Sequence, residues 1–175
     1  MEAYQVLLLI LVLISFGYIS IAVYGLGHMG EFRRRLRKRL RGLNLLMYKR
    51  AESLLEIVEL FRSRGVTFSS EDEECFTALR KLNFDVVEEK KFRAAVDVVK
   101  SASSRLKFIA GSHPKAASGA IYAENNDLLE DLERNYRIYI GQYNMDVVGY
   151  NYWITVPTLG WLGFIFGHRA KTFLS

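Results

Sequence analysis

From Ala3 to Gly30 the chain carries no Lys, Arg, Asp or Glu, and no other stretch narrows its folding options as severely. The inner part, residues 6–24, is built mainly from Leu, Ile and Val with Phe and Tyr among them. A helix rises about 1.5 Å per residue, so roughly twenty such residues cross the hydrocarbon of a bilayer, about 30 Å. Tyr4, Tyr18 and Tyr24 are amphipathic rings suited to headgroup levels, Tyr18 being set rather deep for that. Directly afterwards Arg33, Arg34, Arg35, Arg37, Lys38, Arg39 and Arg41 place seven cations within nine residues. A neutral apolar span with its flanking positive charge on one side defines an anchor and an orientation. By the positive-inside rule the arginine side stays cytoplasmic and Met1 faces out. A cleaved signal peptide carries its charge before a shorter apolar run, so the segment reads as an uncleaved signal anchor.

The net charge of the 175 residues is +5, less than the seven cations of this run, so the rest of the chain is slightly acidic. Basicity is therefore local, which suits a surface of anionic lipids and argues against a nucleic-acid face spread over the fold. Roughly 130 residues follow the basic run, enough to bury one core without disulfides or metal. Cys75 is the single cysteine, which excludes an intramolecular disulfide and a Cys-rich metal site.

Gly25, Gly27 and Gly30 match the spacing of a dinucleotide-binding fingerprint. That mechanism needs a short strand before the glycines and a βαβ unit around them, and here a membrane-length helix precedes them. The glycines are expected to loosen the helix at its exit from the bilayer or to permit close helix approach. In the basic run Leu36, Leu40 and Leu43 step by four and three, leaving one apolar stripe on a cationic helix that could lie on headgroups or simply set topology.

The remaining chain reads as helices. Leu43, Met47, Ala51, Leu54, Val58 and Phe61 form one buried face, ended by Arg62, Arg64 and a C′ glycine at Gly65. Ser70 with Glu73 suggests a capping box for a short helix carrying Cys75, Phe76, Leu79 and Leu82. The acids Glu71, Asp72, Glu73 and Glu74 then fall in a first turn that favours them, without need of a metal. A third helix is expected from about Phe84 to Ile109, with Phe92, Val96, Val99, Ala102, Leu106 and Ile109 inward and a loop over residues 112–119. The last helix, from Ala120 to Ile154, carries the most regular seam: Leu129, Leu132, Tyr136, Ile140, Tyr143, Val147, Tyr150 and Ile154. Tyr143-Asn144 recurs seven residues later as Tyr150-Asn151, tyrosines that bury rings and asparagines that can hydrogen-bond to neighbours. Pro157 is expected to close this helix, because it pushes Val156 out of the α region. Residues 147–167 are uncharged. A second span is nevertheless disfavoured by Pro157, Asn151 and three late glycines, and by the cations it would place outside. The Gly- and aromatic-rich tail, 158–175, is expected to pack on the bundle or to rest on the membrane surface.

The pattern Tyr143-Asn144, Val147, Tyr150-Asn151, Ile154 and Val156-Pro157, followed by Phe164, Gly167 and Phe173, resembles the LemA family. The specific portion covers about thirty residues, and the anchor and helices extend the likeness in outline. Val156 stands where the family usually has Phe, and the proline usual after the first soluble helix is missing near Arg62 and Arg64. The resemblance implies an antiparallel helical bundle on a membrane anchor in a bacterial cell envelope, with no established catalytic activity. One branch, the MamQ type, is tied to membrane remodelling.

The expected fold is all-α: one transmembrane helix, then an antiparallel bundle of three long helices and a short one. The expected parts are a signal anchor (1–30), a basic juxtamembrane helix (31–42), a bundle (43–157) and the tail (158–175). The expected function is a scaffold or adaptor of the bacterial inner membrane that recruits a protein partner at the cytoplasmic leaflet. The alternative is a protein that senses or shapes anionic membrane through its seven cations. An enzyme is not expected: His28, His113 and His168 lie in three different settings, and no nucleophile elbow, P-loop or zinc-protease motif is present. No cofactor or metal is expected. Expected partners are anionic lipids, a protein whose identity the sequence does not give and, as a further option, a second copy of the chain, but not nucleic acid.

Overall fold

The computed structural model describes residues 3–84 and 88–174, without the side chains of 157 and 158. Five helices and no strand occur among them: α1 Ala3–Ser63, α2 Ser70–Arg80, α3 Glu89–Ser112, α4 Ala120–Thr155 and α5 Pro157–Ile165. Two compact units divide the chain, one of Met1–Arg37 with Tyr143–Ser175 and one of Lys38–Gln142.

In the unit of Lys38–Gln142 the three-four patterns become the core. Leu43, Met47, Ala51, Leu54, Val58 and Phe61 of α1 are all at most 5 % exposed. Phe92, Val96, Val99, Ala102, Leu106 and Ile109 of α3 are buried as their spacing requires, with Phe76 and Leu79 of α2 and Leu132 and Tyr136 of α4. Each large apolar side chain withdrawn from water contributes about 1.5–3 kcal/mol. Gly65 ends α1 at φ +77°, a conformation with no steric penalty only for glycine. The amide of Val66 donates to Phe61 O at 3.0 Å and that of Gly65 to Arg62 O at 3.0 Å, the paired bonds of a Schellman motif. Arg64 then donates to the carbonyls of Ala116 and Ser118, tying down the loop before α4.

The short helix is capped one residue earlier than its sequence suggested. Ser69, not Ser70, is the N-cap, and its hydroxyl accepts from the Asp72 amide while the Asp72 side chain accepts from the Ser69 amide. Aspartate fills the role of the usual Glu because the box closes over the same three-residue step. The acids of this first turn are ion-paired: Glu73 with Arg62 at 2.5 Å, Asp72 with Arg105 at 2.9 Å and Glu71 with Arg105 at 3.1 Å. These pairs tie α2 to α1 and α3. Burial opposes the charge of Asp72, but bonds from Ser69 and Arg105 outweigh it and hold the carboxyl below its ordinary range. The third helix starts at Glu89, later than Phe84, and residues 85–87 between them lie outside the described residues.

Two further expectations are corrected. The anchor, the basic run and the first bundle helix form a single 61-residue helix, so residues 25–30 do not loosen it. Gly25 instead permits close approach, since a Cβ there would meet the side chain of Leu159. The stripe Leu36, Leu40 and Leu43 is buried by protein and does not rest on headgroups. As expected, Pro157 closes α4, which ends at Thr155 with Val156 extended at ψ 118°; the chain then resumes helix, with Pro157 as the first residue of α5. The ring that ends one helix has the φ needed to begin the next. With nine residues α5 is far too short to span a bilayer.

Candidate functional site

The unit of Met1–Arg37 and Tyr143–Ser175 holds the apolar span and the Tyr-Asn seam. Side chains from Leu7 to Ile14 on α1 are each 47–63 % exposed, so no protein surface covers them. Among the described residues α1 is the one helix long and apolar enough to cross a membrane. Burial begins at Ala22 and is complete at Met29. Here α5 packs on α1: Leu159 sits over Gly25, Gly163 lies beside Met29 and the Trp161 indole donates to the Tyr18 hydroxyl at 3.0 Å. Phe164 and Ile165 at the end of α5, and Phe166 just after it, are 60–70 % exposed. The tail thus returns to the anchor. Beside it the His28 ring stacks on Trp153, with centroids 5.4 Å apart and planes 3° from parallel.

The seam residues of α4 divide by role. Tyr143, Val147 and Tyr150 are at most 1 % exposed and form the centre of this unit with Met29 and Leu159. Ile154 is half-buried, and Pro157 contributes the first residue of α5. Asn144 and Asn151 hold the C-terminal segment by its backbone. Each side-chain amide donates to a carbonyl and accepts from the amide of the same residue: Asn144 with Leu174 at 2.8 and 2.9 Å, Asn151 with Lys171 at 2.8 and 2.8 Å. Seven helical residues advance about 10.5 Å and three extended residues about 10 Å, so the two amides match Lys171 and Leu174 in register. The pairing runs antiparallel to α4, because the earlier asparagine takes the later tail residue. Leu174, 4 % exposed, anchors the end.

Sequence reasoning missed the partner of Tyr150. Its hydroxyl lies 3.1 Å from Nδ1 of His168, which is buried. Burial, and then the positive charge of Arg33, lower the His168 pKa, so the ring is held neutral and can accept the phenol proton. The need of a buried tyrosine for a polar partner was the available signal, but eighteen residues separate the two side chains in sequence.

The seven cations are not equivalent. Arg33 is half-buried, and its positive charge disfavours protonation of His168. Arg35 packs over the Phe32 ring at 4.4 Å, pairs with Glu31 at 3.4 Å and lies 4.0 Å from the buried Asp146. Arg39 donates to the Gln142 side chain. Arg34, Arg37, Lys38 and Arg41 are exposed. Their spacing of three, one and three residues sets them on one helical face, opposite Leu36, Leu40 and Leu43. Among the described residues no cluster of three His, Cys, Asp or Glu side chains is placed to hold a metal.

Comparison of the chain with protein-family models, characterised proteins and solved structures finds no match.

Proposed function

We propose that this chain is a membrane-anchored helical scaffold with a LemA-like Tyr-Asn seam, recruiting a protein partner at the cytoplasmic leaflet of a bacterial inner membrane. The carrying observation is the uncovered run from Leu7 to Ile14 on a helix that continues, without a break, into a folded unit. Exposed leucines and isoleucines in such number are stable in lipid and aggregate in water. The cations after the span orient it with the N-terminus out and the helical unit inside. In this frame α5 lies at the level of the anchor's exit, and Phe164, Ile165 and Phe166 enter the interfacial layer while Trp161 reaches toward Tyr18.

A recruiting surface is available in the unit of Lys38–Gln142. An apolar groove of about 830 Å³ is lined by Tyr48, Leu55, Leu60, Leu82, Phe84 and Ile121, with Glu52 and Glu56 at its edge. Such a groove suits an amphipathic helix carrying apolar anchors and basic flanks. A photo-crosslinker at Tyr48 or Ile121 of the full chain in its native membrane should trap one protein, and Leu55→Glu should abolish the adduct. No adduct from either position would remove the scaffold reading. Topology has its own test, with Ser118→Cys added to a Cys75→Ser chain. Labelling of intact cells by a membrane-impermeant thiol reagent would overturn the cytoplasmic placement.

The exposed face of Arg34, Arg37, Lys38 and Arg41 favours a second reading, in which the chain senses or shapes anionic membrane. Each cation near such a surface contributes about 1 kcal/mol. Changing all four to Gln should abolish enrichment of phosphatidylglycerol around the reconstituted protein, and unchanged enrichment would exclude this reading.

A further inference from the structure

The unit of Lys38–Gln142 also holds a second, polar groove, between α1, α3 and α4, with a cavity volume of about 600 Å³. Its apolar surface comes from Leu54, Ile57, Leu106 and Leu129. The polar side is dominated by Arg50, which is 7 % exposed although its guanidinium is always charged. Glu133 lies 2.7 Å from Nη1 of Arg50 but off its N–H direction, so Nη1 and Nε are buried without an aligned hydrogen bond. The same carboxylate also takes the Nε of Arg137 at 3.1 Å, so one anion serves two guanidinium groups. Tyr136 lies beside Arg50, with the guanidinium carbon 5.7 Å from its ring centroid, and its buried hydroxyl has no partner. Burial above all, with Glu133 and Asp97 behind it and Arg50 opposing, pushes that phenol up to about 12, so it keeps its proton.

Buried donors left unpaired cost about 1–3 kcal/mol each, and more when charged. Lys100, Lys107, Arg134 and Arg137 join Arg50 around the groove, and only Glu130 and Glu133 oppose them. Arg134 is engaged by Asp131 at 3.4 Å, which still leaves a cationic excess. Ser103 and Ser104 of α3 and Asn126 of α4 add small polar groups to the lining. A guanidinium fork, flexible ammonium groups and an excess of more than one positive charge match a dianionic phosphoryl group better than a monoanionic carboxylate. The volume leaves room for an organic body against the leucines and Tyr122.

We infer that this groove is a binding site for a small phosphate monoester, with Arg50 as its central anchor and Lys100, Lys107 and Arg137 completing the charge. It is independent of the scaffold reading and of the cations on the exposed face of α1. The phosphoryl group can belong to a soluble metabolite or to the headgroup of a lipid of the phosphatidic acid type.

The test uses the full chain in phosphatidylcholine nanodiscs, titrated calorimetrically with inorganic phosphate and with glycerol 3-phosphate. A second arm incorporates phosphatidic acid in the discs and follows the Tyr136 environment by NMR. Saturable binding of the soluble phosphates, weakened at least tenfold by Arg50→Met, supports the inference with a soluble source. An Arg50-dependent shift of Tyr136 with phosphatidic acid alone supports it with a lipid source. Because Arg50→Met also alters a buried position, Lys107→Gln combined with Arg137→Gln, both at exposed positions, provides the second variant and should weaken binding at least fivefold. Binding that neither variant changes, or no binding in either arm, overturns the inference.

Discussion

Replacing Asn151 by Ala tests whether the C-terminal segment is held by side-chain amides. The substitution removes two bonds of 2.8 Å, one to the carbonyl and one from the amide of Lys171. Each such bond contributes about 1 kcal/mol net, because water competes for the freed groups, so about 2 kcal/mol is lost locally. At about 1.4 kcal/mol per factor of ten, the opening constant of the segment should rise about thirtyfold. Hydrogen exchange of the Lys171 amide in the full chain reads this directly, with the Leu174 amide, held by Asn144, as an internal comparison. Lys171 should accelerate about thirtyfold and Leu174 clearly less. Asn151→Asp sharpens the test. A carboxylate keeps the acceptor for the Lys171 amide but turns a second oxygen toward the Lys171 carbonyl, so it should protect no better than Ala. Unchanged exchange in the Ala variant, or full protection in the Asp variant, would refute the two-bond clamp.

Acidification should loosen the same segment. His168 has a folded pKa below its ordinary 6.5, so its stabilising contribution is complete above about pH 6.5 and is lost as pH falls through the folded value. Thermal melts from pH 7.5 to 5 should show this loss, and His168→Gln should flatten it. Tyr143→Ala should cost about 3–5 kcal/mol, because the ring is almost wholly buried, with the half-buried Ile140→Ala costing less; denaturant midpoints check the order. Ser69→Ala should cost about 1 kcal/mol and Ser70→Ala far less, which distinguishes the true cap. Asp72 adds an acid limb of the opposite origin to a raised group: its contribution is present above the ordinary carboxylate range and lost as pH falls through its lowered folded value. Comparing the acid limb of Arg105→Gln with that of the parent chain measures it.

Much of the helical plan was legible from spacing. Leu43 to Phe61 and Phe92 to Ile109 were marked as inward faces by their three-four steps, and each of those apolar positions is buried. Periodicity reports on one helix at a time, and a buried face is a property of one helix. The length and neutrality of residues 3–30 likewise mark a helix able to cross a membrane. End signals were less specific. Ser69 and Ser70 are adjacent, with acids three residues after each, and only the backbone path selects between them. Pro157 disfavours α geometry at Val156 and favours helix after itself; local chemistry leaves open whether a chain stops there or turns and resumes.

The tail and the polar groove were decided by tertiary structure alone. Asn144 and Asn151 were visible as a seven-residue repeat able to hydrogen-bond, but nothing local assigns them the backbone of Lys171 and Leu174. That pairing exists because α5 folds back over Gly25 and Met29 and delivers the segment in register. In the same way nothing local marks out Arg50; its burial beside Tyr136, sharing Glu133 with Arg137, required α1 and α4 to be packed together. Sequence determines which surfaces must leave water, since that follows from residue type and helical period. Which polar groups meet when they do depends on how distant turns align, and only the folded chain sets that.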